Sequence, residues 1–198
     1  MARQSMREEI VDAAVAQFHS KGYNAAGVKD ITDAAGTPKG SFYNHFESKE
    51  SLAVVALERY GASLRLQDLA APDIAPLVRL RKHFEFLRDE IVNAGFARGC
   101  LIGNFGAEVA DHSETIRNGV RESLGHWAST ISGALVEAQQ AGAVRADLDT
   151  EKTARFLVNA WEGTLIAARS SRSGGAFDDF FDTAFGTLLA PLSEQAQA

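Results

Sequence analysis

Two short stretches concentrate the side chains that could do chemistry. Between Thr37 and Phe46, Lys39, Gly40, Ser41, Tyr43, Asn44 and His45 crowd a helix of about two turns. A hydroxyl, an amide, an imidazole and an ammonium on one short helix are groups that hydrogen-bond phosphate oxygens and base edges. Asn44 stands where an amide can pair bidentately with adenine. The second stretch runs from Arg98 to Glu108. Cys100, Asn104 and Glu108 recur every fourth residue there, so a regular helix puts a thiol, an amide and a carboxylate on one face. A cysteine in a helix's first turn, near Arg98, would have its thiolate favoured. The other reading is open at both ends of the stretch. Cys100 can be a buried space-filler, and Asn104 and Glu108 can be hydrogen-bonded supports between helices.

The elements that must position these residues are helices. Apolar residues recur at three and four, and no useful length alternates with period two. Ser5 to Glu8 fits a capping box for a helix over about 6–21, with Ile10, Ala14 and Phe18 inward and Gly22 as its stop. A second helix spans about 28–35, with Val28, Ile31 and Ala35 facing in and only Gly27 at its cap. Gly36 suits a left-handed turn, Thr37 an N-cap, and Pro38 the first helical position. The third helix, about 38–44, is anchored by Phe42 and Phe46. Ser48 caps a fourth helix that continues toward Leu66. A short polar helix held by its neighbour through a Gly-containing turn is the helix-turn-helix design for reading DNA. Beyond a Pro-containing linker at 70–76, helices are expected over about 76–93, 101–110, 114–141, 150–169 and 176–192. Residues 170–175 form the last loop.

Composition narrows the function. The chain has 198 residues, of which 45% are hydrophobic, and one cysteine, so an intrachain disulfide is impossible. No apolar run reaches the length of a membrane span, and residues 1–5 lack the apolar core of a signal peptide. A cytoplasmic protein is the simplest reading. Taken over the whole chain, the net charge of −6 argues against a nucleic-acid partner. Residues 1–49, however, balance six basic against six acidic side chains, and the remainder carries the whole deficit. Phosphate attraction depends on the face presented, so a neutral reading domain should need two copies on one duplex and be salt-sensitive.

From about Met6 to Leu57 the chain resembles the DNA-binding domain of the TetR family of bacterial repressors. The resemblance rests on Ala34-Ala35-Gly36-Thr37, Lys39-Gly40-Ser41-Phe42-Tyr43, Phe46 and Ser48-Lys49-Glu50 with Leu52. Glu47 departs from a frequent proline. The resemblance implies an all-α fold: a three-helix helix-turn-helix domain over 1–50 and a helical ligand-binding and dimerisation domain over 51–198. It implies DNA contacts at Thr37, Lys39, Gly40, Ser41, Tyr43, Asn44, His45 and Lys49, with Lys29 as a further phosphate contact. It also implies a homodimer on a two-fold symmetric double-stranded operator, with half-sites about 34–36 Å apart or slightly more, and a small-molecule effector.

Arg98-Gly99-Cys100-Leu101 and Gly103-Asn104 are similar to a segment of one TetR subgroup, as is Trp161-Glu162-Gly163. Repressors in it answer to reactive electrophiles or small unsaturated acids. Cys100, Asn104, Glu108, Trp127 and Trp161 are therefore the candidate ligand-binding residues, with the two tryptophans equally suited to core. Arg169 is a remote anion partner or a solvated arginine. Phe177, Phe180, Phe181, Ala184, Phe185, Leu188, Leu189 and Leu192 form one helical stripe, and Ala154, Leu157, Trp161, Leu165 and Ala168 another. Either intrachain packing or a four-helix interface between copies accounts for them. His83, His112, His126 and Cys100 lack metal-ligand spacing, so no metal or cofactor is expected. A thiol-dependent enzyme or a helical interaction module without DNA binding are the alternatives. No phosphate loop, nucleophile elbow or carboxylate pair supports the first, and the second leaves residues 37–49 unexplained.

Overall fold

A computed structural model of the chain describes residues 5–190, and every regular element among them is helical. In chain order these are α1 (Met6–Lys21), α2 (Val28–Ala34), α3 (Lys39–Phe42), α4 (Lys49–Ser63), α5 (Pro76–Asn93), α6 (Leu101–Glu108), α7 (Glu114–Gln140), α8 (Thr150–Ser171) and α9 (Gly175–Thr183). A tight 3₁₀ turn at Leu66–Ala70 precedes α5, and a π-helical turn at Ala184–Leu188 follows α9. The chain divides into two compact units. The first holds the described residues up to Leu64 together with Arg98–Ser123; the second holds Arg65–Ala97 and the residues from Leu124 onward.

The first unit is built on α1. Ser5 caps it by accepting the Glu8 N–H at 3.3 Å. Ile10, Val11, Ala14 and Phe18 have no solvent exposure and face α4, which buries Leu52, Ala53, Ala56 and Leu57 in return. Each large apolar side chain buried this way contributes about 1.5–3 kcal/mol. Arg59 of α4 ties the same pair from outside, reaching Glu8 at 3.2 Å and Asp12 at 2.6 Å. The α1 helix ends at Gly22, whose φ of 81° and ψ of 170° belong to a region that only glycine occupies without strain. The α6 helix packs here too, its Phe105 edge-on to Phe18 at 5.3 Å and to Tyr23 at 5.7 Å.

The second unit has an aromatic core. Phe84 of α5, Trp127 of α7, Trp161 of α8 and Phe177, Phe180 and Phe181 of α9 are all buried. The α9 stripe therefore packs largely within its own chain as far as Leu189; Leu192 lies outside the described residues.

Three boundaries differ from those expected. The α4 helix stops at Ser63 because Arg65 turns left-handed, at φ 57°, and lets Leu64, Leu66 and Leu69 all turn inward. The last long helix breaks at Ala184 into a π turn, whose Leu189 N–H reaches Ala184 O. The α8 helix runs to Ser171, and Arg172 closes it left-handed at φ 52° while its guanidinium donates to Gly95 O at 3.1 Å.

Candidate nucleic-acid interface

The turn between α2 and α3 is set by backbone chemistry. Gly36, at φ 65°, lets its own N–H reach Asp33 O and lets the Thr37 N–H reach Thr32 O at 2.9 Å. These two bonds satisfy carbonyls that α2 would leave open. Thr37 is buried, and its hydroxyl points back to Thr32 O at 3.5 Å instead of forward to α3. The N-cap of α3 is Pro38, with no side-chain cap. Thr37 therefore belongs to the turn and does not cap the third helix as expected. At the other end of α2, the Gly27 N–H is taken by Asp30 Oδ2 at 3.0 Å, the reciprocal half of a capping box, while Gly27 has no side chain to cap the helix itself.

The α3 helix is pinned from behind. Phe42 is fully buried and Phe46 nearly so, with ring centroids 5.7 Å apart. The Arg7 guanidinium covers the Phe46 ring at 5.3 Å. Lys39, Gly40, Tyr43, Asn44 and His45 face outward and Ser41 is half-buried; Tyr43 is 62% exposed. A 62%-exposed tyrosine beside a fully buried phenylalanine is the polarity a surface needs to meet a polar partner.

The lysines divide. Lys39 carries no ion pair among the described residues. Lys29 is exposed and joined to Asp33 one turn on, and that hydrogen bond first, then the carboxylate's charge, raises its pKa. Lys49 is half-buried. Its ammonium donates to Tyr23 O at 3.0 Å and Ala26 O at 3.3 Å and sits over the Tyr23 ring at 4.1 Å. Burial lowers its pKa, and the charge of Glu108 opposes that.

Glu108 accepts two backbone N–H groups, from Tyr23 at 2.9 Å and from Asn24 at 2.7 Å. A Cβ added to Gly22 would stand 2.7 Å from its Oε2. At the other end of α6, His19 Nε2 is hydrogen-bonded to Gly99 O, next to Cys100. Cys100 is 4% exposed and is the N-cap residue of α6. Asn104 is half-buried on the same helix. Sequence reasoning singled out Glu108 but missed its partners Tyr23, Asn24 and Gly22, and it missed His19. Nothing in local spacing joins residues 84 or 85 apart.

The remaining candidates lie in the second unit. Trp127 is 1% exposed and donates its indole N–H to His83 Nε2 at 2.9 Å. Trp161, also 1% exposed, packs against Phe84, Phe177 and Phe180 with centroids 5.0–5.4 Å away. Arg169 is exposed. Among the described residues, no three His, Cys, Asp or Glu side chains gather in a way that could hold a metal ion. No described helix is long and apolar enough to cross a membrane.

Two family descriptions match the chain. "Bacterial regulatory proteins, tetR family" covers residues 10–56, and "Tetracyclin repressor-like, C-terminal domain" covers residues 76–184. The transcriptional repressor DhaR of Mycobacterium sp. strain GP1 is 33% identical over 96% of this chain and 95% of its own. The transcriptional regulator AcuR of Cereibacter sphaeroides is 33% identical over 82% of this chain and 75% of its own. Among solved structures, the regulatory protein TetR from Rhodobacter sphaeroides superposes with a TM-score of 0.83 at 30% identity, covering 90% of this chain and 96% of that one. Escherichia coli NemR in its reduced form gives 0.81 at 24% identity, covering 96% and 100%, a likeness of fold. With both segments of the family matched around a helix-turn-helix of this geometry, the chain belongs to the TetR family and is a ligand-responsive, DNA-binding transcriptional regulator, not an enzyme.

Proposed function

We infer that the protein acts as a homodimeric repressor whose two α3 helices read the halves of a symmetric operator, and that a small effector releases it by disturbing α6. Lys39, Gly40, Ser41, Tyr43, Asn44 and His45 make the contacts, and Lys29 joins them when phosphate displaces Asp33. Thr37 and Lys49 act from behind, holding the turn and the start of α4.

The observation that carries this reading is the seat of Glu108. Glu108 of α6 holds the chain just after α1, and Gly99, two residues before α6, holds the end of α1. Any ligand that shifts α6 changes what holds the reading head in place, which is the differential contact an effector needs. Dimerisation is supported by α8 and α9. Phe156 and Ile166 are 53% and 69% exposed, and Phe156, Ala160, Gly163 and Thr183 line an open, largely apolar groove there. A two-fold operator needs a two-fold protein.

Cys100 is the effector's point of entry in this reading. Its burial favours a second reading, in which Cys100 only packs and a non-covalent ligand moves α6. The test uses operators selected from random duplexes. Symmetric sites bound by two chains are expected, and sites without two-fold symmetry refute the dimeric reading. Acrolein is then added to wild-type protein and to Cys100→Ser on the selected operator. Release of wild type alone supports thiol sensing, and equal release of both leaves Cys100 as a packing residue.

A further inference from the structure

Attraction to phosphate needs cations that face outward and are not already engaged with the protein's own acids. Among the described residues up to Leu64 the basic side chains are Arg7, Lys21, Lys29, Lys39, Lys49 and Arg59. Lys21 pairs with Asp30 at 3.2 Å, and Lys29 pairs with Asp33. Arg59 lies between Glu8 and Asp12. Lys49 turns its ammonium onto two backbone carbonyls. That leaves Lys39 and Arg7, which have no ion pair among the described residues.

Arg7 is exposed in the first turn of α1, with its guanidinium carbon 5.3 Å from the centroid of the Phe46 ring. A guanidinium is flat, so the ring takes one face and leaves the edge, where its N–H donors lie, open to a bidentate acceptor. The nearest acids in sequence do not occupy that edge. Glu8 is engaged by Arg59, and exposed Glu47, the residue after Phe46, makes no ion pair with Arg7.

The placement of the two cations is informative. Lys39 opens α3, and the turn bonds His45 N–H to Phe42 O at 2.9 Å and Phe46 N–H to Phe42 O at 3.0 Å carry the coil on to Phe46. From Lys39 to Phe46 that is about 10 Å of helical rise, against a major groove about 12 Å wide. Charges at the two ends of a coil this long come out beside the phosphates on either side of such a groove.

We propose that Arg7 contacts DNA, its guanidinium stacked on Phe46 and its N–H edge taking a phosphate on the opposite side of the groove from the one Lys39 meets. The stack fixes the cation to the back of the same ring that anchors α3, so the contact also holds the reading helix at a set depth. The assignment rests on α3 entering the groove, and it adds a residue of α1 to those that touch the operator.

Fluorescence anisotropy of the full chain on a selected symmetric operator tests it, between about 50 and 200 mM salt. Each phosphate contact contributes about 0.9 to the slope of log K against log salt. Arg7→Gln removes one contact from each of two chains, so the slope should fall by about 1.8, with affinity at the lower salt at least about tenfold weaker. A shuffled duplex should lose affinity to the same degree, because phosphate contacts carry no sequence information. Arg7→Lys keeps the charge without the flat stack; it should keep the slope and bind a few-fold more weakly. Methylphosphonate scanning should find one phosphate per half-site whose neutralisation weakens wild type and leaves Arg7→Gln unaffected. Lys39→Gln separates the two levels of the claim. A slope lowered by Lys39→Gln and unmoved by Arg7→Gln overturns the Arg7 contact and leaves α3 in the groove, whereas slopes unmoved by both overturn the reading of α3 as well. Weaker binding at an unchanged slope, or a loss confined to the selected operator, would reduce Arg7 to a support for Phe46 and overturn the contact.

Discussion

Glu108→Ala is the most informative single change. It deletes the acceptor of two backbone N–H groups at 2.9 and 2.7 Å. Hydrogen bonds to a charged group are worth about 1.5–3 kcal/mol each. Asn24 is exposed, so water replaces most of what its N–H loses. Tyr23 is buried, and its N–H is harder to rehydrate. The expected loss is therefore about 2–3 kcal/mol, or roughly 4–12 °C in Tm for a chain of this size. Glu108→Gln keeps one acceptor oxygen and should lose about half as much. Urea unfolding measures the energy, and hydrogen exchange at the Tyr23 and Asn24 amides locates it. Gly22→Ala attacks the same contact from the other side, since its Cβ would press on Oε2 and its backbone would be strained by about 1–3 kcal/mol. The two changes share a partner, so the double variant should lose less than the sum. If Glu108→Ala stays within about 0.5 kcal/mol of wild type and both amides exchange as before, α6 does not hold the head and the relay fails.

Tyr43→Ala and Lys49→Ala should part company. Exposed Tyr43 should cost operator affinity, read by fluorescence anisotropy, with stability unchanged within about 0.5 kcal/mol. Lys49→Ala, which strips two carbonyls of their donor, should cost about 1–3 kcal/mol of stability. Equal stability of the two variants would contradict the placement of Lys49. His83 sets a pH dependence. Its folded pKa, about 4, lies below the ordinary 6.5, so the unfolded chain binds the extra proton first. Its contribution is complete above pH 6.5 and falls as the pH drops toward 4. Between pH 6.5 and 5 the loss is about 2 kcal/mol, and His83→Gln should flatten that part of the urea-unfolding profile.

Much of the first unit was legible because its signals are local. Ser5, Gly22, Gly36 and Ser48 act on neighbours within five residues, and Phe42 and Phe46 declare their face by spacing alone. The carbonyl partners of Lys49, Tyr23 and Ala26, could not be read from the sequence because they lie 26 and 23 residues back. Its position looked like a phosphate contact, while its charge is turned onto the protein's own carbonyls. Thr37 was read as a forward cap because Thr before Pro suggests one, yet the turn needed its hydroxyl behind. The end of α4 carried no glycine to announce it; Arg65 takes the left-handed conformation itself. Trp127 and Trp161 fit either a core or a pocket by sequence, and the structure gives both to the core.

The Glu108 contact also bears on the order in which the protein matures. Asn24 leaves the ribosome 84 residues before the carboxylate it needs. At about 5–20 residues per second, that is a wait of roughly 4–17 s. Through that interval the nascent segment after α1 lacks both Glu108 and the Phe105 ring that covers Phe18 and Tyr23. A fragment cut at residue 64 would be arrested at that stage, so experiments on an isolated reading head should retain the chain through Ser123.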